Sequence, residues 1–169
     1  YKINHLINGE NNTSVLKILL PDINSKITNS IQKLKNLKSL IYYINYPLYQ
    51  IIEMYDLDEY LEYIEKQTNL CDETINTNEF KSIFSNTEKI IIPEIYYKNK
   101  SKIIMSYEEG IKLLDFKEKY PKYYEEALYL MLSFMYKSIN NNILHGDFHL
   151  GNFLFRLEDD NLQMIVLDY

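Results

Sequence analysis

The stretch "ILHGDFHLGNFLF", residues 143–155, decides how this sequence is interpreted, because it places a polar loop between two apolar runs. His145, Asp147 and His149 alternate, so in an extended strand the three side chains would lie on one side. Zinc sites use such residues, but structural zinc sites usually have four ligands, and Cys71 has no second cysteine at a ligand spacing. A lone histidine more often packs and hydrogen-bonds within a loop, and we favour that interpretation over zinc.

The spacing of the polar residues points to phosphoryl transfer instead. His145 stands two positions before Asp147, and Asn152 follows Asp147 after four residues. This H-x-D-x-x-x-x-N spacing is the pattern of kinase catalytic loops. In such a loop the aspartate positions or deprotonates the acceptor hydroxyl, and the asparagine amide oxygen binds magnesium. We therefore predict Asp147 as the catalytic aspartate and Asn152 as a metal ligand.

A second metal ligand is expected on the hairpin that follows the loop. The runs "NFLFRL" and "LQMIVLD" read as two strands joined by the turn "EDDN", and Asp168 lies at the end of the second strand. An aspartate at a strand end is common, but its position after Asn152 is the one that kinases use for a second magnesium ligand. Asp168 and Tyr169 stand where kinases carry Asp-Phe-Gly.

A cation for the nucleotide phosphates and an acid to hold that cation are also needed. Lys17 is the one charged residue in the apolar run "SVLKILL", and Glu73 lies on a predicted helix downstream. Each has a simpler explanation, since lysines are frequent on edge strands and helical acids are usually solvated. Together with Asp147, Asn152 and Asp168, in this order along the chain, they form a kinase constellation.

Composition limits the alternatives. The net charge of −6 and the lack of a long basic run argue against a nucleic-acid partner. The single cysteine excludes an internal disulfide and fits a reducing compartment. The longest apolar stretch is residues 127–136. It is too short to span a bilayer, because a helix that does so needs roughly 20 residues. Nothing in the sequence specifies an organelle.

The order of elements predicts the fold class. Hydrophobic periodicity predicts a strand over residues 13–20, two helices over 23–44 and 57–80, a hairpin over 89–110 and a further helix over 121–139. The polar loop follows this helix, and a second hairpin spans residues 152–168. This segregated order predicts an α+β fold rather than alternating βαβ units. Because the chain begins at Tyr1 without a methionine and stops directly after an apolar run, we expect it to be part of a longer protein.

With these motifs the sequence resembles the UbiB family of atypical kinases, a group associated with coenzyme Q and other lipid metabolism. The similar segments are "SVLKILLPDI", "LDEYLEYIEKQTNLCDETINTNEF", "IIPEIYYKNKSKIIMSYEEGIKL" and "LHGDFHLGNFLF". The resemblance implies a protein-kinase-like bilobal fold, truncated at both ends. Residues 1–109 would form the small lobe with inserted helices and the hinge, and residues 110–169 the start of the helical lobe with the catalytic loop and the metal-binding hairpin.

The resemblance also implies site residues and ligands. ATP and Mg²⁺ would be the cofactors, with Lys17 on the phosphates, Glu73 as its partner and Asp147 as the catalytic residue. Gln67 and Asn69 would stand at the family's E/Q-x-D positions. The nucleotide hinge would be formed by Met105, Ser106, Tyr107 and Glu108. ATP is the expected partner together with a lipid or membrane surface, and no protein substrate is identified.

Several departures from the family pattern keep other functions open. Asn69 replaces an aspartate, Leu150 a proline and Ser106 a glutamate, and the alanine-rich loop and K-x-G-Q motif do not occur. We expect those two motifs to precede Tyr1. Aminoglycoside and choline phosphotransferases are the rival family, because their loop often reads H-G-D-x-H-x-x-N and Gly146 matches it. That family does not explain the helix that carries Glu73. A nucleotide-binding pseudokinase without turnover is the third hypothesis.

Overall fold

The structure is a computed structural model that describes residues 1–7, 10–66 and 68–168, with only the main chain described at residues 5–7, 10–12 and 66. Within these ranges it contains two four-stranded sheets and six α-helices. The strands are β1 Lys2–Ile7, β2 Glu10–Ile18, β3 Ile90–Ile91, β4 Ile95–Asn99, β5 Lys102–Ser106, β6 Ile111–Lys112, β7 Phe153–Glu158 and β8 Asn161–Val166. The helices are α1 Ile23–Ile44, α2 Tyr46–Met54, α3 Leu57–Lys66, α4 Leu70–Phe84, α5 Leu113–Lys119 and α6 Tyr124–Asn140.

The first sheet has the strand order β1-β2-β5-β4, and its neighbouring strands are all antiparallel. Lys17 on β2 stands directly opposite Ile103 on β5. Side chains opposite each other in an antiparallel pair point to the same face of the sheet. Ile103 is fully buried, and β5 contacts α4. The register therefore directs Lys17 toward the face that α4 covers.

The second sheet has the order β3-β8-β7-β6, with β3 parallel to β8 and the other pairs antiparallel. The hairpin β7–β8 turns through Asp159 and Asp160, which both have positive φ, as two-residue hairpin turns require. The predicted turn "EDDN" is thus confirmed. Phe153 pairs with Val166, so the residues just outside the hairpin, Asn152 and Leu167, lie side by side.

The main core lies between this second sheet and the helices α4, α5 and α6. Aromatic side chains dominate it: Phe84 and Phe134 stack with ring centroids 4.8 Å apart, and Phe80 stacks on Phe134 at 5.5 Å. All three are almost completely buried. This packing holds the segment before Ile143, and hence the start of the polar loop, against α4.

Helix α1 packs against both α2 and α3. Only Ile31 of α1 and no residue of α2 is buried. Lys38 of α1 forms ion pairs with Glu53 and Asp58, the second at 2.6 Å, and so ties the three helices together. No helix among the described residues is long and apolar enough to cross a membrane.

The α+β fold class is confirmed, while several element boundaries are corrected. The segment 57–80, predicted as one helix, is two helices, because Asn69 caps α4 by accepting a hydrogen bond from the Cys71 N–H at 3.2 Å. Pro47 lies in the first turn of α2, a helix that periodicity missed, as it missed β1 and α5. The division of the chain at residues 109 and 110 stays a prediction.

Candidate active site

Lys17, Glu73 and Asp168 meet at one point, although 151 positions separate the first from the last. The Lys17 ammonium donates hydrogen bonds to both carboxylate oxygens of Glu73, at 2.7 and 2.8 Å, and to Asp168 Oδ1 at 2.7 Å. The Glu73 side chain is 15% exposed and the Asp168 side chain 53%. One cation therefore joins β2, α4 and the end of the β7–β8 hairpin.

The electrostatics of this group follow from its partial burial. Burial lowers the pKa of Lys17, but the hydrogen bonds to Asp168 and Glu73 outweigh it, so the pKa is raised above its ordinary value. Burial raises the pKa of Glu73, and the bond from Lys17 offsets part of that rise. Lys17 is therefore held as a cation, which is the state that phosphate binding requires.

Asp168 also has an unusual backbone. Its main chain has a positive φ (φ 53). That value lies in the left-handed region, which few residues other than glycine adopt. Such conformations cost free energy and cluster at functional sites. The turn of the main chain directs the Asp168 carboxylate to Lys17 as soon as β8 has ended.

The polar loop fixes one oxygen of Asp147 and leaves the other available. Asn152 Nδ2 donates to the Asp147 main-chain oxygen at 3.0 Å and to Oδ2 at 3.2 Å, and His149 Nε2 lies 3.2 Å from the same Oδ2. Among the described residues Oδ1 has no hydrogen bond, and the Asp147 side chain is 70% exposed. This is the arrangement expected of a group that receives a proton from a second molecule.

His145 connects the loop to the strand that carries Asp168. Its Nδ1 accepts from the Asp147 N–H at 3.3 Å, so Nε2 carries the proton and donates to the Leu167 carbonyl at 2.9 Å. Burial lowers the pKa of His145, so the ring is neutral. His149 accepts from the Gly151 N–H at 3.0 Å. Both histidines support the loop.

The two residues that the sequence predicts as metal ligands, Asn152 and Asp168, offer oxygen donors next to the hairpin. The Leu167 N–H donates to the Asn152 carbonyl at 2.9 Å, which keeps Asn152 beside the residue that precedes Asp168. The Asn152 amide nitrogen is used by Asp147, so its amide oxygen can face a metal. Mg²⁺ prefers such oxygen donors and keeps several waters. Across the described residues, no group of three His, Cys, Asp or Glu side chains could hold a metal unaided.

Lys17, Glu73 and Asp168 line a cavity of about 370 Å³ that extends to the predicted hinge. Its walls are mainly apolar and include every hinge residue predicted from the sequence: Met105, Ser106, Tyr107 and Glu108. Val15, Leu16, Pro93, Leu154 and Leu167 lie in the same walls. An apolar slot with one charged end has the chemistry to take a nucleoside with its phosphates.

The hinge is held in place by side-chain bonds. Ser106 Oγ donates to Glu108 Oε1 at 2.8 Å, and Arg156 Nη1 donates to Glu108 Oε2 at 3.2 Å. The Ser106 N–H donates to the Glu94 carbonyl, whereas the N–H groups of Tyr107 and Glu108 donate to no main-chain carbonyl in the described part of the chain. These two amides are therefore available to a ligand.

A second cavity, of about 580 Å³, adjoins the Lys17 group. It shares Lys17, Glu73 and Asp168 with the first cavity and has Asp147 in its wall. The remaining walls come from α3, α4 and the start of the loop: Tyr63, Asn69, Asp72, Asn76, Leu144 and Gly146. We call this space the acceptor chamber, because it joins Asp147, the residue that the sequence predicts as catalytic, to the charged end of the first cavity.

Comparison with known proteins identifies the family. The profile of the ABC1 atypical kinase-like domain matches residues 4–169, almost the whole chain. The chain belongs to this family. The resemblance to UbiB atypical kinases is thereby confirmed.

Two similar proteins illustrate the ABC1 relationship. The chain is 32% identical over 108 residues to the probable serine/threonine-protein kinase abkC of Dictyostelium discoideum, covering 62% of this chain and 16% of abkC. The structure superposes on Rv3197 of Mycobacterium tuberculosis, solved as an erythromycin complex, with a TM-score of 0.75 and 15% identity. That match covers 99% of this chain and 42% of Rv3197, and it shows the kinase-like fold.

The ABC1 chain brings together the site residues predicted from sequence, with one exception that lies outside the described residues, Gln67. Asn69 lies in the chamber wall as the cap of α4, and not on a helical stripe with Glu73. Sequence reasoning missed Tyr63, Asp72, Asn76 and Leu144. A signal existed for two of these, since Asn69, Asp72 and Asn76 recur at steps of three and four. Tyr63 and Leu144 carried no such signal.

Proposed function

We propose that this ABC1 domain binds ATP with Mg²⁺ and transfers the γ-phosphoryl group to a hydroxyl. One observation carries the proposal: the Lys17 ammonium bridges Glu73 and Asp168 where the two cavities meet. A fixed cation between an apolar slot and an exposed aspartate is what phosphoryl transfer requires of a protein. Membership of a kinase-like phosphotransferase family supports the same function.

The roles of the residues follow from their contacts. Lys17 holds the phosphates while Glu73 holds Lys17, and the amides of Tyr107 and Glu108 contact the base. Asn152 and Asp168 are the residues that would hold magnesium, which, when bound, neutralises charge developing on the transferred group. Asp147 Oδ1 accepts the proton of the attacking hydroxyl. His145 hydrogen-bonds the main chain of both Asp147 and Leu167, and so holds Asp147 beside the segment that carries Asp168.

The biological setting is proposed from the UbiB resemblance. We place the activity in or near lipid or quinone metabolism, at a lipid or membrane surface. This proposal predicts that ATP turnover rises when anionic vesicles or phenolic lipids are added. Turnover that does not respond to either would leave phosphoryl transfer intact and remove the lipid assignment.

Small-molecule phosphotransfer is the second candidate function. It is supported by Gly146, which matches the H-G-D loop of that class, and by the small-molecule complex in which Rv3197 was solved. A pseudokinase is the third candidate. It predicts nucleotide binding without ADP release, whereas both enzymatic candidates predict ADP release that Asp147→Asn abolishes.

Calorimetric titration with ATP, with and without Mg²⁺, tests the proposal. Asp168→Asn keeps an oxygen for Lys17 but loses the carboxylate, so we expect it to lose the Mg²⁺-dependent part of ATP affinity. Asp115→Asn on α5 is the matched control, because Asp115 is exposed and lies in the wall of neither cavity. Full Mg–ATP affinity in Asp168→Asn would contradict the metal assignment, and no ATP binding by the unaltered chain would refute the proposed function.

A further inference from the structure

The acceptor chamber has a chemical character that phosphoryl transfer alone does not require. It shares Lys17 with the first cavity, and α3 and α4 contribute to its walls. Four carboxylates line it, those of Asp72, Glu73, Asp147 and Asp168, against the single cation of Lys17. Lys17 is already paired with two of the four. The excess negative charge therefore lies at Asp72 and Asp147.

Asp72 has no role in the mechanism proposed above. It lies in the first turn of α4, is exposed, and accepts one hydrogen bond at Oδ2 from Asn69 Nδ2 at 3.0 Å. Its Oδ1 has no hydrogen bond within the described part of the chain. A carboxylate in this position repels anions that approach Asp147 and attracts cations.

Tyr63 brings the inserted helix α3 to the catalytic loop. A methyl group added at Gly146 would lie 3.4 Å from the Tyr63 hydroxyl, so the phenol stands against the residue before Asp147. No hydrogen bond to that hydroxyl is made by the described residues. Leu144, 71% exposed, lies in the same wall and offers an apolar surface to the chamber.

We propose that the acceptor chamber selects the phosphoryl acceptor by charge, taking a compact alcohol that is neutral or cationic and rejecting anionic ones. This inference rests on the proposed function. The carbon chain of the acceptor lies on Leu144 and the Tyr63 ring, and a cationic group pairs with Asp72. The chamber has a volume of about 580 Å³. A space of this size admits a small amino alcohol or a single serine side chain beside a basic residue.

The chemical step conserves atoms and charge. The acceptor oxygen forms a bond to the γ-phosphorus of ATP as the bond between that phosphorus and the ADP oxygen breaks. The hydroxyl proton passes to Asp147 Oδ1 and then to water. The products are ADP and a phosphate monoester, and no oxidant or further reactant is needed.

A charge series of small alcohols tests the inference. Ethanolamine, ethylene glycol and glycolate carry a hydroxyl on two carbons with charges of +1, 0 and −1, and each is added with Mg–ATP while ADP release is followed. Serine peptides flanked by lysine, alanine or glutamate form a second arm that separates a protein source of the hydroxyl from a small-molecule source. In whichever arm supports phosphoryl transfer, we expect kcat/KM to fall from the cationic to the neutral to the anionic acceptor. Each step should lower kcat/KM by about fivefold, the factor that an exposed ion pair supplies.

Two pairs of variants assign the effect to the chamber. Asp72→Lys should reverse the charge order, while Glu79→Lys makes the same charge change two turns along α4, outside the chamber, and should not. Tyr63→Leu should raise KM for the acceptor and leave KM for ATP unchanged. Tyr60→Leu, exposed on the same helix and absent from the chamber wall, is its control. Thermal unfolding of each variant verifies that it is folded.

The outcomes separate this inference from the proposed function. In a chain that binds Mg–ATP and releases ADP, a flat charge series in both arms, or no stimulation by any probe, would overturn the acceptor assignment alone. Faster transfer to glycolate than to ethanolamine would overturn it as well. Absence of Mg–ATP binding in the unaltered chain, or binding without any ADP release, would overturn both.

Discussion

Replacing Lys17 by methionine tests whether the observed ion-pair geometry stabilises the fold as well as the site. Methionine keeps much of the length and the apolar stem of lysine and removes the ammonium that binds Glu73 and Asp168. Glu73 would remain largely buried with no cation beside it, near the like charge of Asp168. We therefore expect loss of both stability and ATP affinity.

The magnitude follows from burial. A hydrogen bond to a charged group contributes about 1.5–3 kcal/mol, and breaking a fully buried ion pair costs about 3–5 kcal/mol. The Lys17 side chain is 35% exposed and the Asp168 side chain 53% exposed. Solvent screening therefore reduces both figures. We expect a loss of about 1–2 kcal/mol, which lowers Tm by about 2–8 °C for a chain of this size.

The assay is urea unfolding of a double-mutant cycle that combines Lys17→Met with Glu73→Gln. We expect a coupling free energy of about 1 kcal/mol, because each single change leaves a charge without its partner. Burial already raises the pKa of Glu73, so the cost of Lys17→Met should shrink as the pH falls and Glu73 becomes protonated.

Lys98→Met on β4 is the control, since Lys98 is exposed and has no ion pair among the described residues. The reasoning would be refuted if Lys17→Met cost no more than Lys98→Met and the coupling free energy were zero.

Further predictions concern the core and the loop. Phe134 is fully buried among other aromatic rings, so Phe134→Ala should cost about 3–5 kcal/mol in urea unfolding. A cost below about 1 kcal/mol would contradict the observed core. A Cβ added at Gly110 would lie 2.9 Å from the Leu154 Cβ, whereas one added at Gly146 meets only ordinary contact. Gly110→Ala should therefore cost about 1–3 kcal/mol, while Gly146→Ala should unfold like the unaltered chain. Stability should fall as the pH drops below 6.5, because unfolded His145 takes up a proton there while the buried ring, with its lowered pKa, does not. When the unfolding free energy is measured on both sides of that pH, its pH dependence should be weaker in His145→Gln than in the unaltered chain. An unchanged pH dependence would contradict the neutral ring.

Local sequence signals were sufficient to locate residues that lie close together in both the sequence and the fold. The positions of Asp147 and Asn152 lie within one loop, and Asp168 follows at the end of a two-strand hairpin whose turn is encoded by Asp159 and Asp160. The α+β class followed from periodicity in the same way. These features depend on short stretches of chain, so no knowledge of distant packing was needed.

The break between α3 and α4 shows where local reasoning failed. Hydrophobic periodicity continues from Leu57 to Phe80, yet Asn69 caps a new helix. The identity of an asparagine in the sequence does not show whether it caps a helix or lies inside one. The choice between them depended on α4 packing under the first sheet, where Lys17 meets it.

The sequence by itself determined the identities and the order of Lys17, Glu73, Asp147, Asn152 and Asp168, because their chemistry belongs to the residues and their spacing to short segments. Only the tertiary structure decided that Lys17 bridges Glu73 and Asp168, and that Tyr63 of α3 lines a chamber beside Asp147. The Lys17 contacts join residues more than fifty positions apart. They result from packing of the whole chain, which no local pattern encodes.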